Sequence, residues 1–316
     1  MKDCIIKKSL ILVIIGMFLV INIIPSLAGI SVKKQVSIKD NLSIVDYPLR
    51  ATTLYVGGSG PGNYSSIQVA INNAVDGDTI FIFDDSSPYY ENLVVDKTIN
   101  IIGENRDTTV INGNNAGDVI LIINASVKIN YVTVTNSGGG PLDAGIQIDN
   151  KKYCRIKECK AVSNSIGIFL DNSDSSYIEQ NIFSSNNLYG TYLLNSDYVI
   201  VSDNICNNNN IGIFLSSSDE GLIRYNDCLN NIIAGINTSN GCDDFTLLSN
   251  VCKYSDYGIS IDSCFEVIIE NNECSDGDNG IFLYNSYTVE AGNNTCNNVT
   301  HPRVLRKSLV EKSAKK

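Results

Sequence analysis

The chain has 316 residues, with 34 Asp and Glu against 23 Lys and Arg, a single His, ten Cys and a formal charge of −11 at pH 7. That balance excludes nucleic acid as a partner, since such binding rests on Lys and Arg neutralising phosphates. The length is large for one compact globule but not for a solenoid, which grows linearly without enlarging its core.

In chain order, Lys7 and Lys8 precede an apolar run over 9–24 and the small-residue stretch Pro25-Ser26-Leu27-Ala28, the layout of a secretory signal peptide over 1–28. Sixteen apolar positions interrupted by Asn22 fall short of the ~20 a spanning helix needs, so cleavage is expected. Membrane contact would arise only through this segment if it stayed attached. Residues 29–52 read as a polar linker. Apolar residues at 67, 70, 71, 74 and 75 follow helical spacing, with Ser65 or Ser66 as cap and Asp76-Gly77-Asp78 as stop. Such a helix would cover the open first coil of a stack, whose unpaired N–H and C=O groups need protection. The first strand is expected over 79–83, followed by irregularly spaced strands over 92–96, 98–102, 108–111, 119–123 and 127–134.

The second half is periodic. Gly145, Gly167, Gly190, Gly212, Gly235, Gly258 and Gly280 recur at intervals of 22, 23, 22, 23, 23 and 22 residues. Each opens a short alternating stretch such as Gly167-Ile-Phe-Leu170, and period two means strand. About sixteen residues after the glycine comes Asn-x-Cys, at Asn204/Cys206, Asn226/Cys228, Asn250/Cys252, Asn272/Cys274 and Asn294/Cys296, with Asn181/Phe183 as an aromatic variant. A repeat of this length made of short strands and polar turns predicts a parallel β-solenoid, whose coils stack about 4.8 Å apart. Phe183 standing where later coils have Cys implies an inward slot, so the cysteine column reads as buried free thiols. Cys242 and Cys264 form a shorter column of the same kind. Only Cys154 and Cys159 approach the spacing of a zinc site, with no His nearby.

The segments Tyr55-Val-Gly-Gly-Ser-Gly-Pro-Gly62 through Ile80 and Ile101-Ile-Gly-Glu-Asn-Arg106 through Gly113 resemble the opening of NosD-like right-handed parallel β-helix proteins, part of a wider group of carbohydrate-binding and sugar-cleaving β-helices. The resemblance covers 53–297. It implies an all-β right-handed parallel β-helix of about ten coils with a short N-terminal capping helix. Fold alone does not assign function, which lives in sites placed upon it.

Outward positions form columns that can be compared coil by coil. The second residue after each glycine gives Gln147, Phe169, Tyr192, Phe214, Asn237, Ser260 and Phe282. Phe169, Tyr192 and Phe214 are expected to stack into a flat strip able to lie against sugar rings or a partner protein. A second column, four residues before the cysteine slot, is read as Arg155, Glu179, Ser202, Arg224, Leu248 and Glu270. Arg155-Ile156-Lys157 resembles the Arg-x-Lys pair of β-helical polygalacturonases, but those hydrolases also need clustered aspartates and a Gly-His-Gly turn. The only histidine, His301, lies outside the repeats, and His-dependent epimerases are excluded on the same ground. Pectate-lyase chemistry would need aspartates holding Ca2+ beside a basic residue; Asp149 and Asp171, with Asp174 nearby, and Arg155 and Lys157 are the candidates. Copper delivery would draw on Cys, Met and His, and both methionines, Met1 and Met17, lie in the leader. The Asn column five residues after each glycine (Asn150, Asn172, Asn195, Asn240, Asn285) is expected to tolerate left-handed turns and bond coil to coil.

After Cys296 the repeats stop, and 298–316 reads as a basic tail. Sequons at Asn41, Asn63, Asn124, Asn237, Asn293 and Asn298 suit an exported chain. The resulting expectation is a secreted or cell-surface monomer that binds a polysaccharide or cell-envelope glycan, without catalysis and with no cofactor except, for the lyase alternative, Ca2+. A purely structural envelope role is the third reading.

Overall fold

A computed structural model describes residues 51–306. The leader 1–28, nearly all of the linker 29–52, and Cys4, Met1, Met17 and Asn41 lie outside the described residues.

Among the described residues the chain winds as a parallel β-solenoid with three faces. One face stacks eleven strands, from Thr53–Val56 through Thr79–Ile82 and Arg155–Lys157 to Glu290–Gly292. A second, called here the glycine face, stacks ten strands from Leu93–Val95 to His301–Arg306, and its regular members are the six-residue strands that contain the repeat glycines. The third is divided into five and three strands, bridged at Ile205 through isolated pairings with Ile182 and Asp227. Every pairing is parallel, and successive coils keep one register: Ile146 opposes Ile168, Ile168 opposes Thr191, and Thr191 opposes Ile213. Alternation then sorts the side chains, with Ile146, Ile148, Ile168, Leu170, Ile213 and Leu215 fully enclosed.

The helix Ile67–Asn73 forms where expected. Ser66 accepts from the Val69 N–H, and Ile67, Ala70 and Ile71 are buried. The Glu91 carboxylate adds bonds from the Ile67 and Gln68 N–H groups and the Ser66 hydroxyl, satisfying donors that a helix start leaves open. Three expectations need correction. A strand, Thr53–Val56, precedes the helix and pairs with Thr79–Ile82, so 79–83 is not the first. Residues 127–134 divide into Lys128–Asn130 and Thr133–Thr135 on different faces, because Tyr131 takes a left-handed turn at φ 59°. Finally, part of the supposed tail is strand: His301–Arg306 pairs with Asn279–Tyr284 on the glycine face.

The glycine period has a steric cause. A Cβ at Gly167, Gly190 or Gly212 would stand 2.5–2.6 Å from the carbonyl oxygen of the next repeat glycine, closer than real Cβ atoms approach. Successive coils touch backbone to backbone there, and only hydrogen fits.

The buried polar ladder is the asparagine of Asn-x-Cys. Asn181, Asn204, Asn226, Asn250 and Asn272 are each at most 1% exposed, and each Oδ1 from Asn204 onward accepts from the backbone and side-chain nitrogens of the preceding rung, as in Asn204 to Asn226 at 3.0 Å for both. Asn164, Asn186, Asn209 and Asn231 make a second buried column. The Asn150 column does adopt left-handed backbone, with φ 53° at Asn150 and 48° at Asn172. Its first side chains, however, turn to their own neighbours, Asn150 to Asp149 and Asn172 to Asp171, instead of bonding coil to coil.

The thiol column is inside. Cys206, Cys228, Cys252 and Cys274 are buried, Cys296 is half-buried, and the nine described cysteines are all free. Cys228, Cys252 and Cys274 stand directly opposite one another in register, and Ala161 and Phe183 fill the same slot in earlier coils.

Candidate functional site: an aromatic platform on the glycine face

The outward side of the glycine face carries three columns in strict register. The middle one runs Gln147, Phe169, Tyr192, Phe214, Asn237, Ser260 and Phe282, as expected. Phe169 and Tyr192 stack with ring centroids 4.9 Å apart and planes 18° off parallel, and Tyr192 and Phe214 follow at 5.0 Å and 29°. The sequence reading missed Tyr189, one column over. Its ring lies 5.0 Å from both Tyr192 and Phe214 and widens the strip into a platform. Only its position just before a repeat glycine, shared with Tyr257, hinted at it.

The strip is not uniformly open. Phe169 is only 1% exposed, because Leu188, Tyr189, Tyr192 and Leu194 from the next coil pack over it together with Ala144 and Ile166. The rings that reach solvent are Tyr189, Tyr192 and Phe214, all half-buried. Phe169 therefore acts as the foundation of the platform instead of a contact surface. Burial raises the hydroxyls of Tyr189 and Tyr192 above the usual tyrosine range, and for Tyr192 the charges of Tyr189 and Asp171 add to it.

Carboxylates border the platform. Asp118, at the preceding turn, accepts from the Ala144 N–H at 2.7 Å, and the Gln147 amide, turned nitrogen inward, donates to its Oδ2 at 2.7 Å and Oδ1 at 3.2 Å. Burial, reinforced by Asp143 and Asp149, pushes Asp118 up to about 6. Asp149 and Asp171 stand opposite each other at the far end of the strands. Burial and then the charge of Asp149 raise Asp171.

The structure does not bring the four lyase candidates together. Asp149 and Asp171 project from the glycine face, whereas Arg155 and Lys157 lie beyond the next turn on the eleven-stranded face. Both cations are engaged there: Arg155 with Glu179 at 2.6 Å, and Lys157 with Glu158 at 3.3 Å. Asp174 pairs with Lys152 at 2.6 Å. Lys157, and not Arg155, shares the column of Glu179, Ser202, Arg224, Leu248 and Glu270. The misreading arose because Cys159 occupies the Asn slot, donating its N–H to Asn181, so counting back from it begins two residues early. Among the described residues no group of three or more His, Cys, Asp or Glu is arranged to hold a metal. Cys154 and Cys159 are buried separately, and burial pushes Cys159 up to about 12. A cleft of about 520 Å³ beside the helix is lined by Tyr64, Ser66, Tyr90 and Glu91, but Glu91 is consumed by helix capping.

Residues 144–299 match the family described as right handed beta helix region. No curated protein matches the chain. Among solved structures, the Dettilon tailspike protein aligns with TM-score 0.63 at 16% identity, over 77% of this chain and 54% of that one. The alginate lyase from Paenibacillus sp. str. FPU-7 aligns with TM-score 0.62 at 11% identity, over 78% and 97%. The enzymatically active domain of bacteriophage CBA120 tailspike protein 2 gives 0.59 at 13%, over 78% and 43%. The chain thus spans about half of each tailspike. At these identities the likeness establishes the right-handed β-helix fold and nothing finer.

Proposed function

We propose that this chain is an exported, cell-surface β-helix that binds a polysaccharide across Tyr189, Tyr192 and Phe214, without catalysis. The observation that carries the reading is the stacked platform itself. Half-exposed rings in contiguous rows offer flat apolar faces with polar edges, suited to sugar rings. Export rests on the leader at 1–28, and the NosD-like affiliation on the residues quoted from 55–113. The name of the alginate lyase supports a polysaccharide as the class of partner. A lyase role finds no support in the separation of Arg155 and Lys157 from Asp149 and Asp171.

The test is retention on immobilised glycans. Tyr192→Ala and Phe214→Ala should each weaken retention about 5- to 30-fold, while circular dichroism and the unfolding midpoint stay near wild type. Undiminished retention in the double variant would remove the platform from the account.

A further inference from the structure

The outward columns that carry the platform hold charge of one sign. Across the three outward columns of the glycine face, from Ala144–Asp149 to Asn279–Tyr284, there is no Lys or Arg. The same columns hold Asp149, Asp171 and Asp262, and Asp118 and Asp143 adjoin the first of these strands. The turns that lead into them, over 136–143, 163–165, 185–188, 207–210, 230–233, 254–256 and 276–278, also contain no Lys or Arg, nor does 113–118, the turn before Ile120–Ile122 that carries Asp118. Lys151 and Lys152 follow Asp149 in the next turn, and Lys152 is committed to Asp174 at 2.6 Å. None of the described ion pairs engages Asp118, Asp149 or Asp171. Their fixed partners are uncharged: the Asn150 and Asn172 amides for Asp149 and Asp171, and the Ala144 N–H and Gln147 amide for Asp118.

Two consequences follow. A polyuronate laid along the platform would bring carboxylates against Asp149 and Asp171 within a Debye length, with no Arg or Lys in the platform's own columns to receive them; Lys151, in the turn after Asp149, is the one nearby cation outside the described ion pairs. An ammonium-bearing chain meets the opposite situation. Its charges would find Asp149 and Asp171 beside the rings, and the ring faces of Tyr192 and Phe214 themselves attract cations.

Resting on the platform reading above, we infer that the polysaccharide is one whose sugars carry free amino groups, held by ring stacking on Tyr192 and Phe214 and by charge pairing with Asp149 and Asp171. The fold-level likeness to an alginate lyase gives no guidance on ligand charge, because the likeness reaches the backbone only.

The experiment compares three hexasaccharides of one backbone by calorimetry at pH 6 and low salt: the β-1,4-glucosamine hexamer, its N-acetylated form and its N-succinylated form. The amino hexamer should bind at least 10-fold tighter than the acetylated one, and the succinylated one weakest. Asp149→Asn with Asp171→Asn, or 0.5 M NaCl, should erase the preference while leaving the acetylated hexamer's affinity within about 3-fold. Equal or weaker binding of the amino form, or a preference for the succinylated one, overturns this inference. If glycan retention is nevertheless lost on Tyr192→Ala and Phe214→Ala, the platform reading survives that failure; if those variants retain glycan fully, both fall.

Discussion

Asn226 shows how much of this structure rests on single buried amides. Its Nδ2 donates to the Val201 carbonyl and to Asn250 Oδ1, both at 2.9 Å, while its Oδ1 accepts both nitrogens of Asn204. Asn226→Ala strips the Val201 carbonyl of one of its two bonds, leaving the ladder pairing with the Arg224 strand, and orphans the Asn204 N–H in a site with no access to water. At roughly 1–3 kcal/mol per unsatisfied buried group, a loss of about 2 kcal/mol is expected. It should be read as a lowered urea midpoint with unchanged slope. Asp118 makes the opposite kind of prediction. Held to about 6 in the folded chain against an ordinary 3.8, it binds its proton more tightly folded than unfolded. Stability should therefore fall as pH rises through the window from about 4 to 6, and the penalty should persist above it. Asp118→Asn should stabilise the protein at pH 8 and leave it nearly unchanged at pH 4, since Gln147 can turn its oxygen toward the new amide. Thermal unfolding across pH decides this, and a variant less stable than wild type at pH 8 would refute it.

At the scale of the strand and its turn, the informative features were those that repeat. The glycine column was legible because its cause is repeated in every coil: Gly212 lies under the carbonyl of Gly235, as Gly190 lies under that of Gly212. Gly212→Ala should cost about 3 kcal/mol, at the upper end for overpacking, because the obstructing atom is backbone and cannot rotate away. A thermal shift of only a degree or so would contradict the backbone-contact explanation. Features fixed by a neighbour were not legible. The burial of Phe169 depends on Leu188 and Tyr189 one coil away, and no local pattern around Phe169 announces them. The strand His301–Arg306 escaped because Pro302 stands where the repeat glycine belongs, its carbonyl facing Gly280. A single substitution at the anchor hides a coil whose pairing is intact. Arg155 was assigned to the wrong column for a related reason, since Cys159 sits two residues before the cysteine slot and in an asparagine's place.

For the solenoid as a whole, register is the quantity that must be conserved, and whole coils are its natural unit. Residues 211–233 form one such unit. Tyr189 opposes Ile211, and Ile211 opposes Ala234, so deleting 211–233 joins Asn210 to Ala234 and leaves Tyr189 opposite Ala234. The ladders close in the same step: Asn250 takes the place of Asn226 beneath Asn204, and Cys252 that of Cys228 beneath Cys206. The shortened chain should fold, unfold cooperatively, and show an urea slope reduced by roughly the share of buried surface removed. Deleting only 211–222 should fail, because it shifts every following strand onto the wrong face and turns its apolar residues to water. The same deletion separates fold from binding. It removes Phe214 and sets Asn237 beside Tyr192, so glycan retention should drop about as far as in Phe214→Ala while the far-UV spectrum keeps its β-sheet form. A deletion that unfolds the protein as thoroughly as the half-coil control would mean that the coils are not interchangeable units, and the column-by-column argument for the platform would lose its basis.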